Sequence, residues 1–386
     1  MKINPKILVY ILVISTLAIN TPLSLVGIVK EISLYFNISI ATVGLFISSF
    51  TFTIAICGLF IPVFFSKYER KKTFIFILSV FSVCNFISIF VHNFYFALAL
   101  RVIPAIIYPG FLATALTFTE EIAPSDKSQD YITLILLGIS IGSILGLPIT
   151  TFIGTTVGYQ ATILWIFAIN FLSLILVAIF FPTLKGKEKK YEASLSSLKS
   201  KNFLLPTLGI ILMPIGFCIV YSYLSYYLQA VTHIYTYKLS ALLFIYGLVS
   251  VFGTWIGGKI LIKKDKLTLI GFQLVCIIMI SALYFLGSIT ILAVILVLIL
   301  GVLDGMGYNF IQYVEACSLP DTPELANGIF VSILNGGIAI GSAIGGFLVN
   351  GFGIMSIFIG AIIPLAGAFI VLYYIIDKNL IKLKYS

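Results

Sequence analysis

With 386 residues, 60% of them hydrophobic and 10% charged, and a mean hydropathy of +1.16, the chain carries more apolar surface than a water-soluble core can bury. A net charge of +9 would suit a nucleic-acid binder only if it gathered on one face, yet the basic residues sit in short loops between apolar runs. A water-soluble fold and a nucleic-acid module are therefore excluded, and an all-α protein crossing the bilayer many times is expected.

Apolar runs of about 20 residues match the hydrocarbon thickness of a bilayer. Twelve occur, at 7–29, 41–65, 73–91, 96–119, 131–153, 161–182, 203–228, 239–262, 267–287, 290–314, 326–349 and 354–376. Lys2 and Lys6 precede the first run as they would in a secretory signal, but no small-residue cleavage site follows, so the first helix is read as a retained anchor. With both termini cytoplasmic, the loop cluster Lys67, Arg70, Lys71 and Lys72 falls inside, together with Lys127, the lysines of the central loop, Lys259 to Lys266 and the C-terminal lysines. Only Lys30 and Lys238 fall outside, and Arg101 falls within a span. That asymmetry sets the expected orientation in a plasma membrane.

In chain order, the first span carries no acid: Asn20, in Ala18-Ile19-Asn20-Thr21-Pro22, can hydrogen-bond but cannot carry a proton at physiological pH. The fourth holds Arg101, with Tyr108 seven residues on and on the same face. Its end, Glu120-Glu121, reads as a solvated cap. In the fifth, Gly138, Gly142 and Gly146 recur every fourth residue and are followed by Pro148, which gives a smooth helix face and a bend. Thr183 to Lys201 holds six lysines and two glutamates and reads as a cytoplasmic linker. The seventh span presents Tyr221, Ser222 and Tyr226 after Pro214, and the tenth holds Asp304 with Tyr308 and Gln312 at four-residue steps. Five scattered cysteines and two loop histidines, His92 and His233, offer neither metal-ligand spacing nor a nucleophile-base pair, so no metal, no cofactor and no enzymatic activity are expected.

The halves repeat. The ladder of the fifth span returns 199 residues later as Gly337, Gly341 and Gly345, after Asn335. Gly58 pairs with Gly257 and Ser66-Lys67 with Asp265-Lys266 at the same offset, while Glu120-Glu121 has a looser echo at Glu315.

Six plus six helices in parallel repeat around a basic linker resemble the major facilitator superfamily. More narrowly, Gly138-x3-Gly142-x3-Gly146-Leu147-Pro148, then Gly154 and Gly158-Tyr159-Gln160, resembles the helix-five signature of its drug:proton antiporter branch, near the sugar-efflux and arabinose-efflux-like members. The resemblance implies a major facilitator fold: an N-terminal bundle over 1–182, a linker over 183–202 and a C-terminal bundle over 203–386. It implies that helices one, four, seven and ten line a substrate cavity, which gives Asn20, Tyr108, Tyr221, Ser222, Tyr226, Tyr308 and Gln312 as lining candidates, to which Asn335 of the eleventh span is added. It also implies that the two ladders with Pro148 govern gating between the halves on the outer side. The inner loop departs from the family pattern: Ser66-Lys67-Tyr68-Glu69-Arg70-Lys71 keeps the basic end but lacks the aspartate that helps latch the inner side, with Glu69 or Asp265 as substitutes.

An ionisable side chain at the bilayer centre costs about 2.5–3.5 kcal/mol on insertion scales, which singles out Asp304 and Arg101. Asp304 suits a proton carrier, a hydrogen-bonded structural acid or a counter-ion to a cationic substrate; the first is the expectation. Arg101 resembles the family's helix-four arginine, which implies a part in proton transfer or in holding an anionic group, with snorkelling to headgroups as the alternative. The expected function is proton-coupled export of a small organic solute by alternating access, with only solute, protons and lipid as partners, no nucleic acid, and a monomer. An uncoupled facilitator or importer, or a non-transporting membrane sensor, are the rival readings.

Overall fold

In a computed structural model of the chain, residues 5–38, 40–124, 127–183, 201–234, 236–263, 265–378 and 383 are described. Among them every regular element is helical. Ten helices are long and apolar enough to cross a membrane, and Ser48–Cys57 and Ser128–Gly142 supply shorter apolar stretches where the second and fifth spans are expected. Large apolar side chains stand on the outside, among them Phe90, Tyr95, Phe152, Phe285 and Phe347, as a surface facing lipid rather than water requires.

The chain forms two compact units. The first comprises Met1–Ser194 with Thr322–Ser332, and the second Leu195–Asp321 with Ile333–Ser386. The boundary differs from the expected 1–182 and 203–386 bundles in assigning Thr322–Ser332 to the first unit. Most of the expected linker, 184–200, lies outside the described residues.

In the first unit, α1 (Pro5–Asn20) gives way to a 3-10 segment (Thr21–Ile28) and then α2 (Val29–Phe36). The first span is thus not one α-helix: Pro22 cannot donate a backbone hydrogen bond, and Thr21 and Ser24 turn their hydroxyls onto the carbonyls of Ala18 and Thr21 at 2.6 and 2.5 Å. The second span is also divided, into α3 (Ile40–Cys57) and α4 (Ile61–Ser66). Here Pro62 stands in the first turn of α4, and Gly58 is approached by the backbone oxygen of Gly328, 2.9 Å from where a Cβ would sit. There follow α5 (Arg70–Ser88), α6 (Phe94–Ile122), α7 (Ser128–Thr156) and α8 (Tyr159–Phe180). Asn93 caps α6, its Oδ1 accepting from the Phe96 amide at 3.0 Å. Gly158, at φ +110°, makes the turn into α8 that an L side chain would strain.

The second unit comprises α9 (Lys201–Tyr221), α10 (Leu224–Ala230), α11 (Thr236–Lys263), α12 (Asp265–Leu286), α13 (Thr290–Ser318), α14 (Pro323–Phe352, from Ile333 onward) and α15 (Ser356–Asp377). The seventh span breaks between α9 and α10, at Ser222-Tyr223, where the first span of the other repeat breaks as well. The repeat fails at the eighth span, which stays continuous through Gly257 although Gly58 precedes a break.

Candidate functional site

Asp304 stands in the middle of α13, half-buried. Packing of α13 on α11 fixes its position: a Cβ on Gly301 would lie 2.9 Å from the Tyr246 oxygen and one on Gly305 2.7 Å from the Thr254 nitrogen, so neither position admits a side chain. The close approach brings Ser250 Oγ to Asp304 Oδ2 at 3.4 Å. Cys218 and Tyr221 of α9, Tyr246 of α11 and Cys276 of α12 lie within electrostatic reach of the carboxyl. Tyr221 and Tyr246 stack with centroids 5.3 Å apart. Among the described residues no cation pairs with Asp304, so its surroundings are hydroxyls, thiols and aromatic faces.

A second carboxyl on α13 was not singled out from the sequence. Glu315 is 0% exposed, accepts one long hydrogen bond from Thr207 Oγ1 at 3.4 Å, and leaves its Oε1 without a partner. It lies eleven residues after Asp304, about three helical turns and some 16 Å along the same face. In the sequence it looked like part of a loop echoing Glu120-Glu121; only the length of α13, which runs to Ser318, puts it inside the helix.

Of the expected cavity lining, Asn20 and Tyr108 meet: Tyr108 Oη donates to Asn20 Oδ1 at 2.8 Å, and Asn20 Nδ2 donates to the Thr16 carbonyl at 2.7 Å. Both are buried in the first unit and satisfy one another. In the second unit Tyr221 and Tyr226 are exposed, and Ser222 Oγ shares a 2.6 Å hydrogen bond with Ser342 Oγ. Gln312 is buried, while Tyr308 and Asn335 are half-buried.

Arg101 does not snorkel. It is buried at 7% exposure, donating from Nε to the Phe46 carbonyl and from Nη2 to the Pro22 carbonyl, each at 2.6 Å, between the rings of Phe46 and Phe50. No carboxylate among the described residues pairs with Arg101.

The glycine ladders are filled within their own units. Cβ atoms on Gly138 and Gly142 would lie 2.9 and 3.0 Å from the backbone oxygens of Val13 and Leu17, and Gly146 faces Ser24 at 3.5 Å. Gly337, Gly341 and Gly345 likewise meet Pro214, the Ile215 oxygen and Tyr223 at 2.5, 2.6 and 2.7 Å. The Cβ directions of each ladder therefore point at the first helix of the same repeat, where the resemblance implied the partner half. Pro148 is exposed within α7.

The inner loop corrects two expectations. Arg70 is one of the largest fully buried side chains, at 1% exposure. Its Nη2 bonds Glu324 Oε1 at 2.8 Å and Glu121 Oε1 at 3.3 Å, and its Nη1 reaches the Ser66 oxygen at 3.5 Å. Glu121 is thus an ion-pair partner rather than a free cap. Glu324, which was not among the candidates, pairs with Arg70, while Glu69 pairs with Lys72 at 3.0 Å. Ser66 Oγ donates to the Val63 oxygen at 2.8 Å, and Lys67 sits 5.1 Å from the Phe64 ring centre. Lys71 is half-buried, with no ion pair among the described residues.

The sequence model of the Major Facilitator Superfamily matches residues 8–322. An uncharacterized MFS-type transporter of Bacillus subtilis (strain 168), YtbD, is 26% identical over 351 residues, covering 89% of each chain. A probable sugar efflux transporter of Helicobacter pylori (strain P12) is 25% identical over 347 residues, 89% of this chain and 88% of that one. The crystal structure of the Escherichia coli fucose:proton symporter FucP superposes with a TM-score of 0.78 at 16% identity, over 96% of this chain and 98% of that one, a likeness of fold alone. With the family model covering most of its length, the chain belongs to the major facilitator superfamily and is a multi-span membrane transporter, not an enzyme.

Proposed function

We propose that the chain exports a small organic solute in exchange for protons, with Asp304 as the group that loads and releases the proton. The observation that carries this reading is the setting of that carboxyl: mid-span, half-buried, with one hydroxyl at 3.4 Å and no paired cation among the described residues. A carboxylate there lacks compensation, and a neutral acid does not, so protonation and change of access are coupled by the same cost. Glu315, on the same face, adds a second acid with even poorer compensation. Both lie in α13, so coupling is assigned to the C-terminal repeat, consistent with the acid-free first span.

Export is favoured over import by the helix-five ladder, and by the relatives named as probable sugar efflux transporters at about 25% identity. The lysine and arginine distribution supports cytoplasmic termini in the cell membrane. The exposed Tyr221 and Tyr226, with Ser222 beside them, offer aromatic faces and neutral hydrogen-bonding groups, which suit sugars and amphipathic molecules better than phosphorylated ones.

The test is flux in inverted vesicles from an overexpressing strain. The solute is first found by growth against a panel of antibiotics and sugars. An inwardly acid pH gradient is expected to drive its accumulation, and an ionophore that collapses the gradient to abolish it. Accumulation that ignores the gradient would overturn the reading.

A further inference from the structure

Arg101 is buried with dipoles and rings around it but no opposite charge among the described residues, and the first unit has a small, partly open cavity beside it. That cavity leaves about 10 Å3 for the centre of a water-sized body and is lined from five helical segments, by Pro22, Phe50, Asn85, Arg101, Tyr159 and Ile163 among others. Three hydrogen-bond donors face it without an acceptor among the described residues. Arg101 gives Nε and Nη2 to the two carbonyls, and among the described residues its Nη1 takes no further partner. The Nδ2 of Asn85 and the Oη of Tyr159, a residue 2% exposed, are buried and unpartnered. No lining residue is acidic.

Sequence and fold conspire to build this arrangement. The Pro22 carbonyl, in the 3-10 segment after α1, orients the guanidinium, and the left-handed turn at Gly158 delivers Tyr159 as the first residue of α8. Gln160 anchors the same turn, its Nε2 donating to the Ile89 oxygen at 3.0 Å.

Unmet donors and an uncompensated buried cation are each costly, and a polar cavity that satisfies neither would be expected to collapse or fill. A water molecule can accept from two of these donors but leaves the charge standing. An organic carboxylate or phosphate exceeds the space. We propose that the cavity binds a single small monovalent inorganic anion of halide size, held by Arg101, Asn85 and Tyr159. The site lies within the first unit, apart from Asp304 and Glu315, and is independent of the coupling reading. The anion acts as a fixed counter-charge that holds the 3-10 segment, α3, α5, α6 and α8 together.

The experiment uses the purified full-length protein in lipid nanodiscs. Thermal unfolding is followed while gluconate, too large to enter, is replaced by bromide at constant sodium and ionic strength. A saturable rise in the midpoint is expected. Bromide is a weaker salting-out ion than those that stabilise proteins by exclusion, so a saturable rise is not a general salt effect. In Tyr159→Phe, which removes an oxygen that holds no protein hydrogen bond, the half-saturating bromide concentration is expected to increase at least tenfold. In Arg101→Gln the rise is expected to vanish; should that variant fail to fold, Asn85→Leu takes its place with the same tenfold expectation. Bromide crystals are expected to show an anomalous peak within hydrogen-bond distance of Arg101 Nη1. Equal midpoints in gluconate and bromide, a rise that Tyr159→Phe leaves unchanged, or anomalous maps without a peak in the cavity would each overturn the proposal.

Discussion

Replacing Glu324 by Gln removes the ion pair that ties Thr322–Ser332 to Arg70, the shorter of the two that Arg70 makes. The Arg70 to Glu324 contact is 2.8 Å with both side chains buried, while Arg70 keeps Glu121 at 3.3 Å and the Ser66 oxygen at 3.5 Å. The guanidinium therefore retains a counter-charge, and the loss is that of one charged hydrogen bond, about 1.5–3 kcal/mol, rather than of a whole buried pair. Asn327, which donates to Thr117 Oγ1 at 3.2 Å, and the close approach of Gly58 to Gly328 remain as supports. Local opening of this segment should then become roughly ten- to hundredfold more frequent. Hydrogen-deuterium exchange of the 322–332 amides, read by mass spectrometry, checks this directly. Exchange that is unchanged in that segment, or accelerated evenly across the whole first unit, would refute the assignment of Glu324 as a specific latch.

Two further outcomes follow from the packing and the second acid. Gly142→Val places methyl groups against the Leu17 backbone, where a Cβ alone is already 3.0 Å from the oxygen, and is expected to cost about 1–3 kcal/mol in unfolding free energy; Gly271→Ala, with nothing within 4 Å, should be neutral or slightly stabilising. Glu315→Gln preserves shape and the neighbouring Thr207, so the protein should fold normally, while accumulation driven by a pH gradient in vesicles falls at least tenfold; unaltered accumulation would remove Glu315 from the proton route.

Much of the architecture was legible because a bilayer imposes simple rules: apolar runs of fixed length and basic inner loops need no tertiary context. The fourfold spacing of Gly138, Gly142 and Gly146 likewise announced a close helix contact. Their partner was not legible, because spacing marks a face without saying which helix lies on it, and the face turned out to meet α1. The breaks at Pro22 and near Gly58 were hidden inside uniformly apolar stretches. Arg70 looked like one of several loop cations, since the acids that bury it, Glu121 and Glu324, lie 51 and 254 residues away in sequence. Glu315 escaped notice for the opposite reason: it sits beside a polar loop, and only the extra turns of α13 enclose it. Asp304 and Arg101 stood out from sequence because charge is rare in apolar runs, but only the structure separates an acid with a hydroxyl from a cation with none but carbonyls and rings.

The account rests on Asp304 as the proton carrier, and the most direct measurement compares wild type with Asp304→Asn in reconstituted vesicles using the solute identified by the growth screen. The amide keeps the Ser250 contact and the packing but cannot exchange a proton. The expected result is that accumulation against a gradient is lost while solute-for-solute exchange across the vesicle membrane continues at a comparable rate. Retained uphill accumulation in Asp304→Asn would contradict the central claim.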